Sequence, residues 1–406
     1  MSRNVIGQAL QHTLFKHASI ATFNGYSRAI FKSLSICHTS QKGYHYTCCN
    51  NEQCGIPNIQ YHACGNRHCP NCGGMKREAW VEAQMSDLLP TSYYHTVFTI
   101  PHELNSIIMG NRKAMFKLLF DASSYSLLKI AKDEKFLGAT LGIISVLHTW
   151  GQDLSFHPHI HCIVSGGGIN QTGHWKEEKR KNHRFLFPIA ILQKVFKGYF
   201  MHEFRKRIGK EEIKIKDVEG LQHTMKEIGC KKWNIYAKAP FGGPQQVIQY
   251  LGRYTHKIAI TAHRILSIDD THTTFKYRDY ADGNKEKQMT LTNEEFLRRF
   301  EQHFLPRRFV KIRHYGYFKN YKKKERLDKL FEKMNLPKRL PKLYIPVSVR
   351  MLERYGRDIT ICPHCEKGKM ILVTSYRPKQ EENTIHFIQH DYAKLLSDKS
   401  PPKNQI

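Results

Sequence analysis

The pattern of apolar and polar positions, with aromatic and β-branched residues, predicts a first strand at residues 93–100, YYHTVFTI. Further apolar, β-branched runs predict strands at 138–150 (GATLGIISVLHTW), 158–165 and 231–239 (KKWNIYAKA). Residues 271–280 alternate between apolar and polar like a strand, and Asp282-Gly283 reads as a turn into a partner strand at 286–292. Helical patterns lie between these runs. They cover residues 76–89, with Trp80 and Met85 among the expected buried positions, most of 103–132, and 187–208. Another follows from 293 to 304, with Asn293 as its expected cap. Strands at such separations, joined partly by helices, predict an α+β fold with a mainly antiparallel sheet.

The 406 residues are enough for several domains, and 40% of them are hydrophobic, which marks a globular chain. Lys and Arg number 64 against 35 acidic residues, a formal charge of +29. Such an excess points to a polyanionic partner, with nucleic acid ahead of a membrane surface. No apolar run approaches the ~20 residues of a spanning helix, and the N-terminus lacks a signal-peptide core. A cytoplasmic protein without membrane attachment is expected.

Eleven cysteines are present, seven of them between Cys37 and Cys72. Close pairs without a secretion signal favour metal over disulfides. Cys69-Pro70-Asn71-Cys72 forms a knuckle, and Cys49-x4-Cys54 can supply the second pair of a four-thiolate zinc site, with Cys48 as a substitute. Cys37, His45, Cys64 and His68 remain as candidates for a second ion. Cys362-x-x-Cys365 is half a site that His386 and His390 could complete. Arg67, His68, Lys76 and Arg77 give the cysteine-rich head a cationic surface.

The sharpest chemistry is in HPHIH, residues 157–161. On a strand, His159 and His161 point to one face while Ile160 and Cys162 point to the other. Two imidazoles side by side suit a divalent metal. A third ligand is needed. Gln152, seven residues before His159 at the end of the neighbouring strand, is the first candidate, followed by His157 and then Gln246. Downstream, PQQVIQYLGRYTHK (244–257) reads as a helix opened by Pro244. Tyr250 and Tyr254 stand on one face, about 40° apart around the axis. Arg253 and Lys257 each follow a tyrosine by three residues. A phenol near a metal and a cation can attack a phosphodiester, although two tyrosines at this spacing also suit plain core packing.

The His-hydrophobic-His strand followed by a tyrosine helix resembles the HUH endonucleases. Tyr254-Thr255-His256-Lys257 matches the Tyr-x-x-Lys pattern of replication initiators. The ordered segments YHACGNRHCPNCGGMKREAW, HTWGQDLSFHPHIHCIVSGGG, YLGRYTHKIAIT and RRFVKIRHYGYFKN resemble the insertion-sequence-91 family of two-tyrosine rolling-circle transposases. The resemblance implies an HUH-type nuclease core with flanking helices, a zinc-binding head and a basic C-terminal region. It also implies magnesium or manganese at the histidines, although imidazole suits zinc as well. Attack by Tyr254 or Tyr250 would leave a 5′-phosphotyrosine and a free 3′-hydroxyl on single-stranded DNA at transposon ends. Lys257 and Arg253 would steady the phosphate or lower a phenol pKa. The expected division is a head at 1–90, a nuclease core at 91–265, a basic DNA-contacting region at 266–350, and a Cys-x-x-Cys segment with a disordered tail at 351–406. Arg67, Arg253, Lys311 and Arg313 are the expected DNA contacts, the last two within an aromatic-cationic run suited to base stacking. A replication initiator with the same chemistry and a non-catalytic zinc-dependent DNA-binding protein are the competing readings. Homo-oligomerisation is left open.

Overall fold

The computed structural model describes residues 10–18, 23–178, 185–238, 246–247, 252, 258–339, 345–378 and 388–389. The N-terminal part carries α1 (Gly25–Ser35), β1 (Tyr44–Cys49), β2 (Pro57–Tyr61) and α2 (Gly74–Met85). The centre follows with β3 (Tyr93–Thr99), α3 (Asn105–Gly110), α4 (Arg112–Lys132), β4 (Thr140–Trp150), β5 (Phe156–Ile169) and β6 (Trp175–Glu177). After it come α5 (Ile189–Gly209), α6 (Val218–Cys230) and β7 (Ile235–Lys238). The last third has β8 (Ile265–Ile268), β9 (His272–Asp279), β10 (Lys285–Thr292), α7 (Asn293–Glu301), β11 (Ile312–Gly316) and α8 (Lys323–Lys333). It closes with α9 (Val347–Tyr355), β12 (Met370–Tyr376) and β13 (Ile388–Gln389).

The central sheet has the order β11-β4-β5-β3-β7, with β6 added to β5, and its pairs are antiparallel. The α+β expectation therefore holds. One face is the main core. Ile160, Cys162 and Val164 of β5 and Tyr94 and Phe98 of β3 meet α4 and α5 there. Helix α5 forms because Leu192, Phe196, Phe200 and Phe204 recur every fourth residue, and all four are fully buried. Burial of each is worth roughly 1.5–3 kcal/mol. The long helix expected over 103–132 is interrupted at Asn111, whose non-helical backbone (φ −133°, ψ 36°) separates α3 from α4. Asn111 offsets the break by bonding Ile107 and Lys214.

The opposite face meets α2. Val81, Leu88 and Leu89 cluster with Tyr93, Ile144, Ile163, Tyr317 and Phe318. The sequence pattern misplaced Met85, which is 36% exposed, and Trp80 is only partly buried. Buried Asp87 ties the end of this helix to Lys323 of α8 and to Arg339.

A second core joins regions expected to be separate. Phe15 and Phe31 pack on Phe300 and Phe304 beside the β10-β9-β8 sheet. The head thus shares its interior with part of 266–350. The cap of α7 is Thr292, which accepts from the Glu295 N–H, one residue before the expected Asn293. Asn293 instead links Thr273 and Asp269. The C-terminal segment is likewise not a free appendage. Strand β12 pairs along the whole of β1, completing the sheet β13-β12-β1-β2. Residues 397–406, expected to be a disordered tail, lie outside the described residues, as do His386 and His390. No helix among the described residues is long and apolar enough to cross a membrane.

Candidate active site

The β4–β5 hairpin decides the histidine site. Its antiparallel register sets His148 opposite His159 and Val146 opposite His161. One nitrogen from each of His148, His159 and His161 lies within 4.8 Å of the others. The Nε2 atoms of His159 and His161 are 3.1 Å apart. Supporting contacts lie behind them. Nδ1 of His159 is 2.7 Å from the His157 carbonyl, to which it must donate. Nδ1 of His161 is 2.9 Å from Nε2 of His95, on the adjacent strand β3. Burial, with a smaller contribution from Lys238, lowers the His95 pKa to about 4, so this imidazole is neutral at pH 7. With the Nδ1 atoms so engaged, Nε2 of both histidines is left for a metal. Trp150 stacks on His148 with centroids 4.6 Å apart. Three imidazole nitrogens fit a divalent cation with open positions for water and phosphate.

The structure brings His148, and not the expected Gln152, to the two motif histidines. The Gln152 side-chain amide donates to the Tyr280 hydroxyl at 2.9 Å, and the Gln152 backbone carbonyl accepts from Arg264. It sits in the connection between Trp150 and Phe156, which pair at the end of the hairpin. His157 supplies its carbonyl, and Gln246 is exposed. A plain reversal about Asp153 would not have found His148. Trp150 and Phe156 are equidistant from Asp153, but an irregularity between His148 and Trp150 shifts the register by one residue and sets His148 opposite His159. His95 carried no local signal.

Tyr250, Arg253, Tyr254 and Lys257 lie outside the described residues, but two positions between and before them are placed. Val247 is fully buried in the cluster of Tyr93, Ile144 and Ile163, and Ile163 shares the β5 face with His159 and His161. Gly252 touches α2 closely. A Cβ there would stand 2.6 Å from Val81 Cγ2.

The cysteines gather in two sets that cut across the expected one. Cys69 and Cys72 join Cys37 and Cys64, while Cys49 and Cys54 join Cys362 and Cys365. The reason is that the loop carrying Cys64–Cys72 folds back on the end of α1. Cys49 and Cys54 sit instead at the far end of the β1–β2 hairpin, against the turn before β12. In the first set the sulfurs of Cys64 and Cys72, and of Cys37 and Cys69, are 3.6 Å apart. Backbone N–H groups of Cys64 and Asn66 donate to the sulfurs of Cys37 and Cys64. Cys48 donates to the Gly55 carbonyl, His45 faces His62 at 4.5 Å, and His68 packs on Phe304. None of these three is in either set.

The expected DNA contacts differ in placement too. Arg67 donates to the carbonyls of Pro306 and Phe309, stitching the cysteine loop to the segment before β11. The Arg313 guanidinium lies 4.3 Å from the Phe120 ring centre and 5.3 Å from that of Phe309. Burial and the neighbouring Arg67 push the Lys311 ammonium down to about 8. Phe309, Tyr317 and Phe318 are core residues, which removes them as platforms for bases.

The class these features define is a transposase. A family model described as "Putative transposase" matches residues 142–326, which span the β4–β5 hairpin, the tyrosine segment and β11. A second, described as "Transposase zinc-binding domain", matches residues 8–100. The protein named "Putative transposase y4qJ" of Sinorhizobium fredii (strain NBRC 101917 / NGR234) is 34% identical over 371 residues, covering 88% of this chain and 91% of its own. The "Transposase for insertion sequence element IS801" of Pseudomonas savastanoi pv. phaseolicola is 29% identical over 322 residues, covering 76% and 74%. No solved structure matches. The chain belongs to the insertion-sequence-91 family of transposases, with its N-terminal zinc-binding domain. DNA is accordingly its partner, cleavage and transfer of DNA strands its general activity, and zinc a structural component of its head.

Proposed function

We propose that this transposase cleaves and rejoins single-stranded DNA at the ends of its element through a 5′-phosphotyrosine, and so drives rolling-circle transposition in the cytoplasm. The observation that carries the reading is the convergence of His148, His159 and His161 on the sheet face that also buries Val247. Magnesium or manganese held by these imidazoles would draw charge from the non-bridging oxygens of the scissile phosphate. The chain's own groups do the rest. His95 and the His157 carbonyl hold two of the rings in the tautomer that keeps Nε2 toward the phosphate. A tyrosine Oη attacks phosphorus and loses its proton, the P–O3′ bond breaks, and the 3′-oxygen leaves as a hydroxyl after taking a proton. The phosphotyrosine keeps the energy of the broken bond, so rejoining needs no nucleotide. Arg253 and Lys257 steady the phosphate, and the second tyrosine serves a second strand. The boundaries at 91 and 265 and any homo-oligomeric assembly belong to the same proposal.

A suicide oligonucleotide carrying an element end tests this. Tyr254→Phe removes one oxygen and should abolish the covalent adduct while DNA binding persists. Tyr250→Phe should form the adduct but fail to complete transfer. An adduct in the double Phe variant would place the nucleophile elsewhere and end the reading.

A further inference from the structure

The C-terminal Cys-x-x-Cys pair has no part in the chemistry above, and its partners are more than 300 residues away in sequence. Cys365 Sγ lies 3.7 Å from Cys49 Sγ, and Cys362 Sγ lies 3.8 Å from Cys54 Sγ. All four thiols are free. Sulfurs bound at about 2.3 Å in a tetrahedron stand about 3.8 Å from one another, whereas a disulfide requires about 2.0 Å. The four sulfur atoms all lie within 4.8 Å of one another.

The surrounding backbone is shaped around these atoms. The N–H of Asn51 points at Cys49 Sγ, and the N–H of Gly368 points at Cys365 Sγ. Two knuckles thus face each other, each sending an amide to its own sulfur. Gly368 is pressed so close that a Cβ there would stand 2.4 Å from Cys49 Sγ. The knuckles are also joined directly, by Asn50 N–H to the Lys369 carbonyl and Lys369 N–H to the Asn50 side chain. Behind them, β1 and β12 pair from Cys49↔Met370 to Tyr44↔Tyr376.

We propose that Cys49, Cys54, Cys362 and Cys365 bind a second structural zinc ion, which clamps the C-terminal segment to the N-terminal head. The zinc-binding family match ends at residue 100, so half of this site lies outside it. The two sites then differ in kind. Cys37, Cys64, Cys69 and Cys72 come from one stretch of chain and can assemble on their own. The second site cannot close until residue 365 has been made, and any chain cut before Cys362 leaves Cys49 and Cys54 with half a ligand set and β1 without its β12 partner. The proposal is independent of the tyrosine chemistry.

Metal analysis of the full-length protein tests it. The purified chain should hold two zinc ions. The Cys362→Ser/Cys365→Ser and Cys49→Ser/Cys54→Ser variants should each hold one. His386→Ala/His390→Ala should keep two, because four thiolates already complete the site. One zinc in the unaltered protein, an unchanged content in Cys362→Ser/Cys365→Ser, or loss of an ion with the histidines would each overturn the proposal. Should a serine variant fail to fold, cobalt titration of the unaltered, zinc-stripped chain gives the answer. Thiolate-to-cobalt absorption should rise to two equivalents, and saturation at one would refute the second site.

Discussion

The histidine centre and the cysteine head are both candidate metal sites, and they are built in opposite ways. The three histidines stand on two adjacent strands, β4 and β5, of a sheet whose other face is closed by Phe98, Phe196 and Phe200. That core holds their geometry whether or not an ion is bound, so an ion held there would be free to serve chemistry. The cysteines stand on turns. Strand β2 is exposed along its length, and around the second set Ile59, Tyr61 and Leu372 are open to solvent. Too little apolar surface is buried there to order the turns, and metal must contribute the difference. One site uses a fold, and the other completes one.

The largest expected effect breaks the head alone. Cys69→Ser with Cys72→Ser should release zinc and expose residues 37–72 to protease, while the central sheet keeps its protection. Structural zinc contributes on the order of 10 kcal/mol to such units. Unchanged zinc content and unchanged proteolysis would erase the contrast. Next, Phe200→Ala should cost the central core about 3–5 kcal/mol in chemical denaturation, without loss of zinc.

Within the histidine centre, His148→Ala or His159→Ala should lower strand cleavage by more than about 100-fold, beyond the 10–100-fold typical of residues behind the ligands. DNA affinity should stay near its original value. Gln152→Ala, which gives up only a bond to Tyr280, should leave cleavage within about twofold. A Gln152 variant as inactive as the His148 variant would restore the amide as ligand.

A smaller effect depends on pH. His303 is buried between Thr149 and the Leu154 carbonyl, and burial lowers its pKa from 6.5 to about 4. The unfolded chain binds this proton more readily, so stability is complete above pH 6.5 and is lost as pH falls toward 4. The loss reaches at most about 3 kcal/mol. Denaturation midpoints measured across that interval should slope downward with acid, and His303→Gln should flatten the slope.

Much of this molecule was readable from local pattern. Apolar, β-branched runs located β3, β4 and β5, period-two alternation located β9, and the fourfold spacing of Leu192, Phe196, Phe200 and Phe204 marks α5, because both periods follow from backbone geometry alone. The same logic put His159 and His161 on one face. It failed where partners were chosen by something other than neighbours in the chain. Gln152 looked suitable by distance along the chain, yet the hairpin register selected His148. Arg67 and Arg313 looked like surface cations, yet carbonyls and the Phe120 ring took them.

Sequence by itself therefore determined the fold class, the strand that carries the metal-binding pair, the family and the need for zinc, since each rests on residue type and short spacing. Only tertiary structure decided which thiols lie together and which histidine joins the pair. Cys49 and Cys362 are more than 300 residues apart, and no local period relates them. What brings them together is the pairing of β12 along β1, an antiparallel ladder whose register exists only after the rest of the chain has folded between its two ends.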